Sequence, residues 1–261
     1  MNLDELRNRH DAVHVVLAPP RSASTAFARV LWNSTEVAHY SHEPYETTYY
    51  HGLGSEIAWK HLAEPLALGN LLEPRTGNHL LVKEMTFQVG PRFAELVEVA
   101  TSPLVFIVRD PRLTISSRRA VKARQNEPLD FPLEQTGWLD LWRQIQYCRE
   151  QGVAHLLVDA SDFRSEPASA FSRICRELGL GFHPGQLSWE PAPELNLSRN
   201  NPGGLDEFYV RVLNSRKLEA PTEEPPPVTD FPEEGGLRDH VMWAMDIYES
   251  LALASAQSTI C

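Results

Sequence analysis

The sequence predicts an α/β domain of three layers, with a central, mostly parallel sheet flanked by helices. Two observations carry this. Short apolar runs recur along the chain: VHVVLA at 13–18, LLVK at 80–83, LVFIV at 104–108 and AHLLV at 154–158. Between them stand segments with helical spacing. Strands of a parallel sheet are covered on both faces, so they read as continuous apolar runs rather than as alternation.

The elements follow in order. Val13–Ala18 is a buried strand, followed by the loop Pro19-Pro20-Arg21-Ser22-Ala23-Ser24-Thr25. A helix starts near Ser24, with Phe27, Val30 and Leu31 at helical spacing. The stretch His39–Tyr50 is polar and aromatic, without clean periodicity. Leu80–Lys83 is a second strand and Phe93–Val99 a helix. Leu104–Val108 is the clearest strand, and Pro111 suits the first turn of the helix after it. Leu139–Glu150 reads as helix, Ala154–Val158 as strand, and Ala168–Leu178 as helix with Gly179 as C-cap. Leu218–Pro232 (LEAPTEEPPPVTDFP) is acidic and proline-rich, an exposed loop. A last helix spans Gly236–Ala256.

Length and charge narrow the class. At 261 residues and 42% hydrophobic, the chain suits one large domain over residues 1–261. A formal net charge of -11 argues against a nucleic-acid partner. An anionic ligand then needs a local basic pocket, which Arg21, Lys83, Arg109, Arg112, Arg118 and Arg119 can supply. Cys148, Cys175 and Cys261 lack disulfide or zinc spacing. No apolar run is long enough to cross a membrane, and the N-terminus is charged where a signal peptide would be apolar. These features read as a cytoplasmic protein. A homodimer is left open.

Two loops carry chemistry. Arg21–Thr25 follows a strand and opens a helix, where unpaired N–H groups and the positive dipole end favour an anion. Ser22, Ser24 and Thr25 add hydroxyls, and Arg21 adds a guanidinium. A strand-to-helix turn with serine caps reads the same residues without a ligand. The loop lacks GxxxxGK[ST], which weakens an ATP-hydrolysing or kinase reading. The second loop is Val108-Arg109-Asp110-Pro111-Arg112, with Ser117 two turns into the next helix. Arg109 and Ser117 can reach one phosphate; a salt bridge for Arg109 is the plainer alternative.

These motifs together resemble the sulfotransferases that use 3′-phosphoadenosine 5′-phosphosulfate (PAPS). Pro20–Thr25 looks like that family's 5′-phosphosulfate loop, and Arg109 with Ser117 like its 3′-phosphate motif. Leu156–Phe163 followed by Ile174–Phe182 looks like its late strand and helix. The resemblance covers roughly residues 13–183 and implies a P-loop-like fold, PAPS as donor, PAP as product and no required metal. It assigns Arg21, Ser22, Ala23, Ser24, Thr25, Arg109 and Ser117 to cofactor binding. The chain departs from the pattern at Ala23, where the family usually has glycine, a residue that admits positive φ.

The resemblance also implies catalytic roles. Arg21 and Lys83 would neutralise charge on the bridging oxygen of the leaving group. Relatives that place a histidine shortly after the lysine strand find Met85 here. Others use a glutamate about twenty residues beyond the first loop, and Glu43 falls there, with His42 and Glu84 in reserve. Tyr40, Tyr45, Tyr49, Tyr50 and Trp59 could line an acceptor pocket or pack in the core. Trp138 and Trp142, four apart on a helix, read as packing. Residues 200–214, with Pro202-Gly203-Gly204 as a turn, could form a lid, and Arg199 and Arg216 are weak phosphate candidates. The acceptor class that fits is a small hydroxylated metabolite, such as a bacterial natural product. Two rivals stand beside this reading: a P-loop nucleotide kinase or phosphotransferase, and a non-catalytic nucleotide-binding module on the same scaffold.

Overall fold

The run Val13–Ala18 forms the first strand, β1, which lies inside the sheet. The computed structural model describes residues 3–68, 74–197 and 208–258. After β1 come β2 (Val37–His42), β3 (Leu66–Ala67), β4 (His79–Met85), β5 (Leu104–Val108) and β6 (His155–Asp159). They stand side by side in the order β3-β2-β4-β1-β5-β6. Pairings among these strands are parallel, except that β2 and β3 run antiparallel. The sheet is therefore mostly parallel with helices on both faces, as the apolar runs predict.

Each face of the sheet has its own core. Val13, Val15 and Leu17 of β1 pack with Leu80, Val82, Phe106 and the helix residues Trp138, Leu141 and Ile145. Val16 and Ala18 point the other way, toward Leu81, Val105, Ile107, Phe27, Phe163 and Phe171. This period-2 division of an unbroken apolar run is what a doubly covered strand requires. Each fully buried Leu, Val or Phe contributes about 1.5–3 kcal/mol of transfer free energy.

Several boundaries match the sequence pattern. Phe93–Val99 is helical as expected. Leu139–Glu150 extends to Trp138–Gln151, and Ala168–Leu178 to Pro167–Leu178, with Gly179 at φ 70° as its C-cap. The last helix runs from Leu237 to Ser258. Residues 218–232 form mostly exposed loop, although Leu218 and Phe231 are buried. No helix among the described residues is long and apolar enough to cross a membrane.

The stretch His39–Tyr50 corrects the sequence reading. Its first part belongs to β2 and its second to the helix Glu46–His51. β2 lies between β3 and β4, so it shows no half-buried alternation, and its Tyr, Ser and His residues hide its strand character. Strand β3, two residues long, is too short for any pattern to announce it.

Candidate active site

The carboxyl ends of β1, β2, β4 and β5 sit side by side, where ligands of parallel sheets bind. They border a cavity of about 740 Å³. The loop after β1 contributes Pro20, Arg21, Ala23, Ser24 and Thr25 to its wall. Two non-glycine residues of this loop have positive φ: Arg21 at 65° and Ala23 at 59°. Ala23 thus takes the left-handed conformation for which the family pattern has a glycine. The helix Ser24–Trp32 starts directly after it, with no side-chain cap on its first N–H groups. Ser22 differs from its expected role: its hydroxyl donates to Pro19 O at 2.7 Å and is buried inside the turn. Gly137 backs the loop, where a Cβ would stand 3.0 Å from both Pro19 Cα and Pro20 Cδ.

Arg109 leaves the end of β5 and donates through Nη1 to Arg21 O at 2.9 Å. Arg21 in turn donates through Nε to Ser117 Oγ at 3.1 Å. The two sequence motifs are therefore physically joined, and Arg21, Arg109 and Ser117 line the same cavity. Asp110 and Arg112 serve the scaffold. Asp110 caps the helix Pro111–Arg124 by accepting from Arg112 N at 2.8 Å and pairs with the Arg112 guanidinium at 2.6 Å.

Glu43 stands just past β2 with φ 44°, another strained non-glycine position. Its backbone N–H donates to Lys83 O at 2.7 Å. Its carboxylate is 2% exposed yet forms part of the cavity wall. Oε1 accepts from Lys83 Nζ at 2.5 Å and Tyr209 OH at 2.8 Å, and His42 Nε2 lies 3.2 Å away. Oε2 accepts from Gln88 Nε2 at 3.0 Å. Burial alone would raise the carboxyl pKa, but the charges of Lys83 and His42 pull it well below the usual carboxylate range.

Lys83 and the two reserve bases stand behind Glu43. Lys83 is fully buried, and its ammonium ends on Glu43 and, at 3.5 Å, on Met85 Sδ. The cavity meets Glu43 and Met85 rather than Lys83, which differs from the expected direct contact with a leaving group. His42 hydrogen-bonds Tyr40 OH at 2.5 Å. Glu84 points away from the cavity and accepts from the backbone N–H groups of Tyr45 and Met85 at 2.8 and 2.6 Å. Burial, followed by the charge of Glu43, pushes its pKa well up.

The cavity is also walled by Tyr50, Met85, Phe87, Gln88, Arg118 and Phe131. Of the five aromatics left open between pocket and core, Tyr50 lines the cavity and Tyr49 packs edge-on against it and Phe87. Tyr40 is in the core. Tyr45 and Trp59 converge on Glu95, donating to its Oε2 at 2.7 and 2.6 Å. Trp138 is core packing, and Arg216 pairs with Glu190 outside the cavity.

The structure adds residues that the motifs do not announce. Phe208 and Tyr209 close over the site. Arg21 donates through Nη1 to Phe208 O at 2.9 Å, and its guanidinium lies 5.6 Å from the Phe208 ring centroid. Arg29 anchors this segment by donating to Val212 O and Leu213 O at 2.5 and 3.2 Å. Residues 208–214, the described part of the stretch that could form a lid, thus border the site. Arg199, the Pro202-Gly203-Gly204 turn and Cys261 lie outside the described residues. Gln88 and Arg164 also line the cavity. Neither belongs to a recognisable motif, although Arg164 directly follows the segment 156–163.

No curated protein matches the chain. Solved structures that resemble it include a sulfotransferase domain from the Synechococcus PCC 7002 olefin synthase, 15% identical. That match covers 92% of this chain and 96% of the other, at a TM-score of 0.46. A sulfotransferase domain from the curacin biosynthetic pathway is 15% identical, with 68% and 76% covered at 0.42. Mouse sulfotransferase SULT7A1, complexed with PAP, is 14% identical, with 70% and 65% covered at 0.45. The model of the sulfotransferase domain matches residues 15–196, from the middle of β1 past β6, and so takes in the loops of Arg21 and Arg109 and also Glu43. The chain belongs to the sulfotransferase family.

Proposed function

We propose that the chain, acting as one catalytic domain over residues 1–261, transfers a sulfuryl group from PAPS to a hydroxyl of a small-molecule acceptor, with Glu43 as general base. The observation that carries this is the place of Glu43: an ionised carboxylate in the wall of a cavity whose other end is built from Arg21, Arg109 and Ser117. The donors present fit a ligand with two anionic ends. Ser24, Thr25 and the N-terminus of the helix Ser24–Trp32 would hold the 5′ end beside Arg21. Arg109 and Ser117 would hold the 3′-phosphate. When bound, PAPS supplies an activated sulfuryl group and an anionic leaving group. The cavity volume falls within the range of about 300–1,000 Å³ usual for small-molecule sites. A hydroxylated natural product is the acceptor class we favour.

The residues divide the work. Arg21, tied to Ser117 and Phe208 O, presents a fixed positive charge at the 5′ end. Oε1 of Glu43 is engaged by Lys83 and Tyr209, whereas among the described residues Oε2 accepts from Gln88 alone. Oε2 therefore keeps a lone pair for the proton of an acceptor hydroxyl, and that proton comes to rest on Glu43. A base with so low a pKa is weak but always ionised. Weakness is tolerable where the hydroxyl loses its proton late, as in a loose transition state. Lys83 sets the orientation and charge of Glu43 from behind.

Replacement of Glu43 by Gln tests the reading. Turnover falls by about 10²- to 10⁴-fold, the usual contribution of a general base, while PAP affinity stays within about twofold. Turnover that survives within a few-fold places the base elsewhere. Thermal-shift titration separates the rivals. Stabilisation by PAP without magnesium supports PAPS as donor. Stabilisation by ATP with magnesium alone indicates a kinase, and PAP binding without turnover on any hydroxyl compound indicates a binding module.

A further inference from the structure

We infer that Arg164 works with Arg109 as a second arginine for the 3′-phosphate of the nucleotide, and that Glu223, from the acidic proline-rich stretch, holds this anion position as a displaceable stand-in. The inference deepens the PAPS reading and rests on it.

The observation is a convergence of three guanidinium groups on one carboxylate. Glu223 Oε2 lies 3.3 Å from Arg109 Nη2 and 3.5 Å from Arg164 Nη2. Its other oxygen lies 3.7 Å from Arg211 Nη1. All four residues line the cavity beside Arg21 and Ser117. Arg164 sits at the end of the short helix after β6 and is 8% exposed. Two bonds aim it, from Nε to Glu219 O at 3.0 Å and from Nη2 to Ala220 O at 3.1 Å. These bonds use the same stretch that carries Glu223.

Charge and geometry favour a phosphate over this carboxylate. Arg211 already pairs with Glu219 at 2.6 Å. Arg109 and Arg164 then share one oxygen of a single negative charge. A phosphate offers up to two charges and three oxygens, enough for a separate partner on each guanidinium. Arg109 is the residue that the 3′-phosphate motif supplies, so a ligand phosphate there meets Glu223 directly. Glu223 can yield: its side chain is 36% exposed, and residues 219–227 belong to no helix or strand. A salt bridge that merely ties the loop down would account for the contacts but not for three cations on one acid.

Isothermal titration with PAP and with adenosine 5′-phosphate, which lacks the 3′-phosphate, tests the inference. Glu223→Gln removes the competing charge, so PAP binds between about three- and tenfold tighter, and adenosine 5′-phosphate stays within twofold. Arg164→Gln weakens PAP by about tenfold or more and leaves adenosine 5′-phosphate unchanged. Unchanged or weaker PAP binding by a folded Glu223→Gln protein overturns the inference, even if Arg164→Gln fails to fold. Equal affinity of the wild-type chain for the two nucleotides overturns it as well. A wild-type chain that binds no PAP overturns the PAPS reading itself, and this inference with it.

Discussion

Lys83 and Glu43 meet at 2.5 Å with 0% and 2% of their side chains exposed, so the Lys83 ammonium has no solvent as an alternative partner and the Glu43 carboxylate has little. Removing one member strands the other. Lys83→Met is expected to cost about 3–5 kcal/mol, because it leaves a carboxylate buried without its counter-charge. Lys83→Met combined with Glu43→Gln removes both charges and recovers at least half of that loss. Urea denaturation of the two variants measures the difference. Equal destabilisation would mean that Lys83 contributes packing rather than charge.

Tyr209 reaches the same carboxylate from the opposite side of the chain. It donates to Glu43 Oε1 at 2.8 Å, and its ring stands edge-on to His42 with centroids 4.8 Å apart. Tyr209→Phe keeps the ring and deletes the donor. Hydrogen bonds to charged groups are worth about 1.5–3 kcal/mol, and stability should fall by that amount. On the proposal that Glu43 is the base and PAPS the donor, loss of this positioning bond lowers kcat by about tenfold, while the KM for PAPS changes little. A change in KM alone would place Tyr209 in cofactor closure instead.

The sequence makes the part of this site around Arg21 and Arg109 easier to read than the part around Glu43. Arg21, Arg109 and Ser117 sit at fixed offsets from two apolar runs, because a strand end and a helix start hold them in place. Glu43 could be reached only through a family resemblance, since β2 carries Tyr, Ser and His where a strand is usually recognised by Val and Ile. Tyr209, Phe208 and Glu223 come from a loop-rich tail that folds back over the strand ends. Glu43, Arg21 and Arg109, which they meet, lie more than 100 residues earlier, at separations where local pattern carries no signal. Tyr45 and Trp59, which the sequence left open between pocket and core, show the same limit. Their ring character was plain, but the half-buried Glu95 that collects them was not.

Ala23 gives a test of strain in the cofactor loop. At φ 59° its Cβ is in the left-handed region, which costs an L-residue roughly 1–2 kcal/mol. Glycine removes that cost but gives back about 0.5–1 kcal/mol through the greater freedom of the unfolded chain. Ala23→Gly is therefore expected to stabilise the protein by about 0.5–1 kcal/mol, visible as a higher Tm. A destabilised variant would show that the Cβ makes packing contacts worth more than the strain.

His14 governs acid stability from the far end of β1. It is fully buried, with Nδ1 2.8 Å from Ser102 Oγ and Nε2 3.1 Å from His79 Nδ1. Burial, with His79 adding to it, lowers its pKa from the ordinary 6.5 to about 4. The unfolded chain thus takes up a proton at His14 near pH 6.5, and the folded chain only near pH 4. Between these values the unfolded state holds more protons, so acid favours unfolding. The stability is fully present above pH 6.5 and is lost as pH falls toward 4, by an amount on the order of 3 kcal/mol. His10, His39 and His240 are also lowered by burial and add to the same slope. His14→Gln cannot take up that proton, so its unfolding free energy should vary less between pH 6.5 and 4 than that of the wild type. Urea unfolding at several pH values measures both slopes. Parallel curves would show that His14 is already protonated in the folded protein.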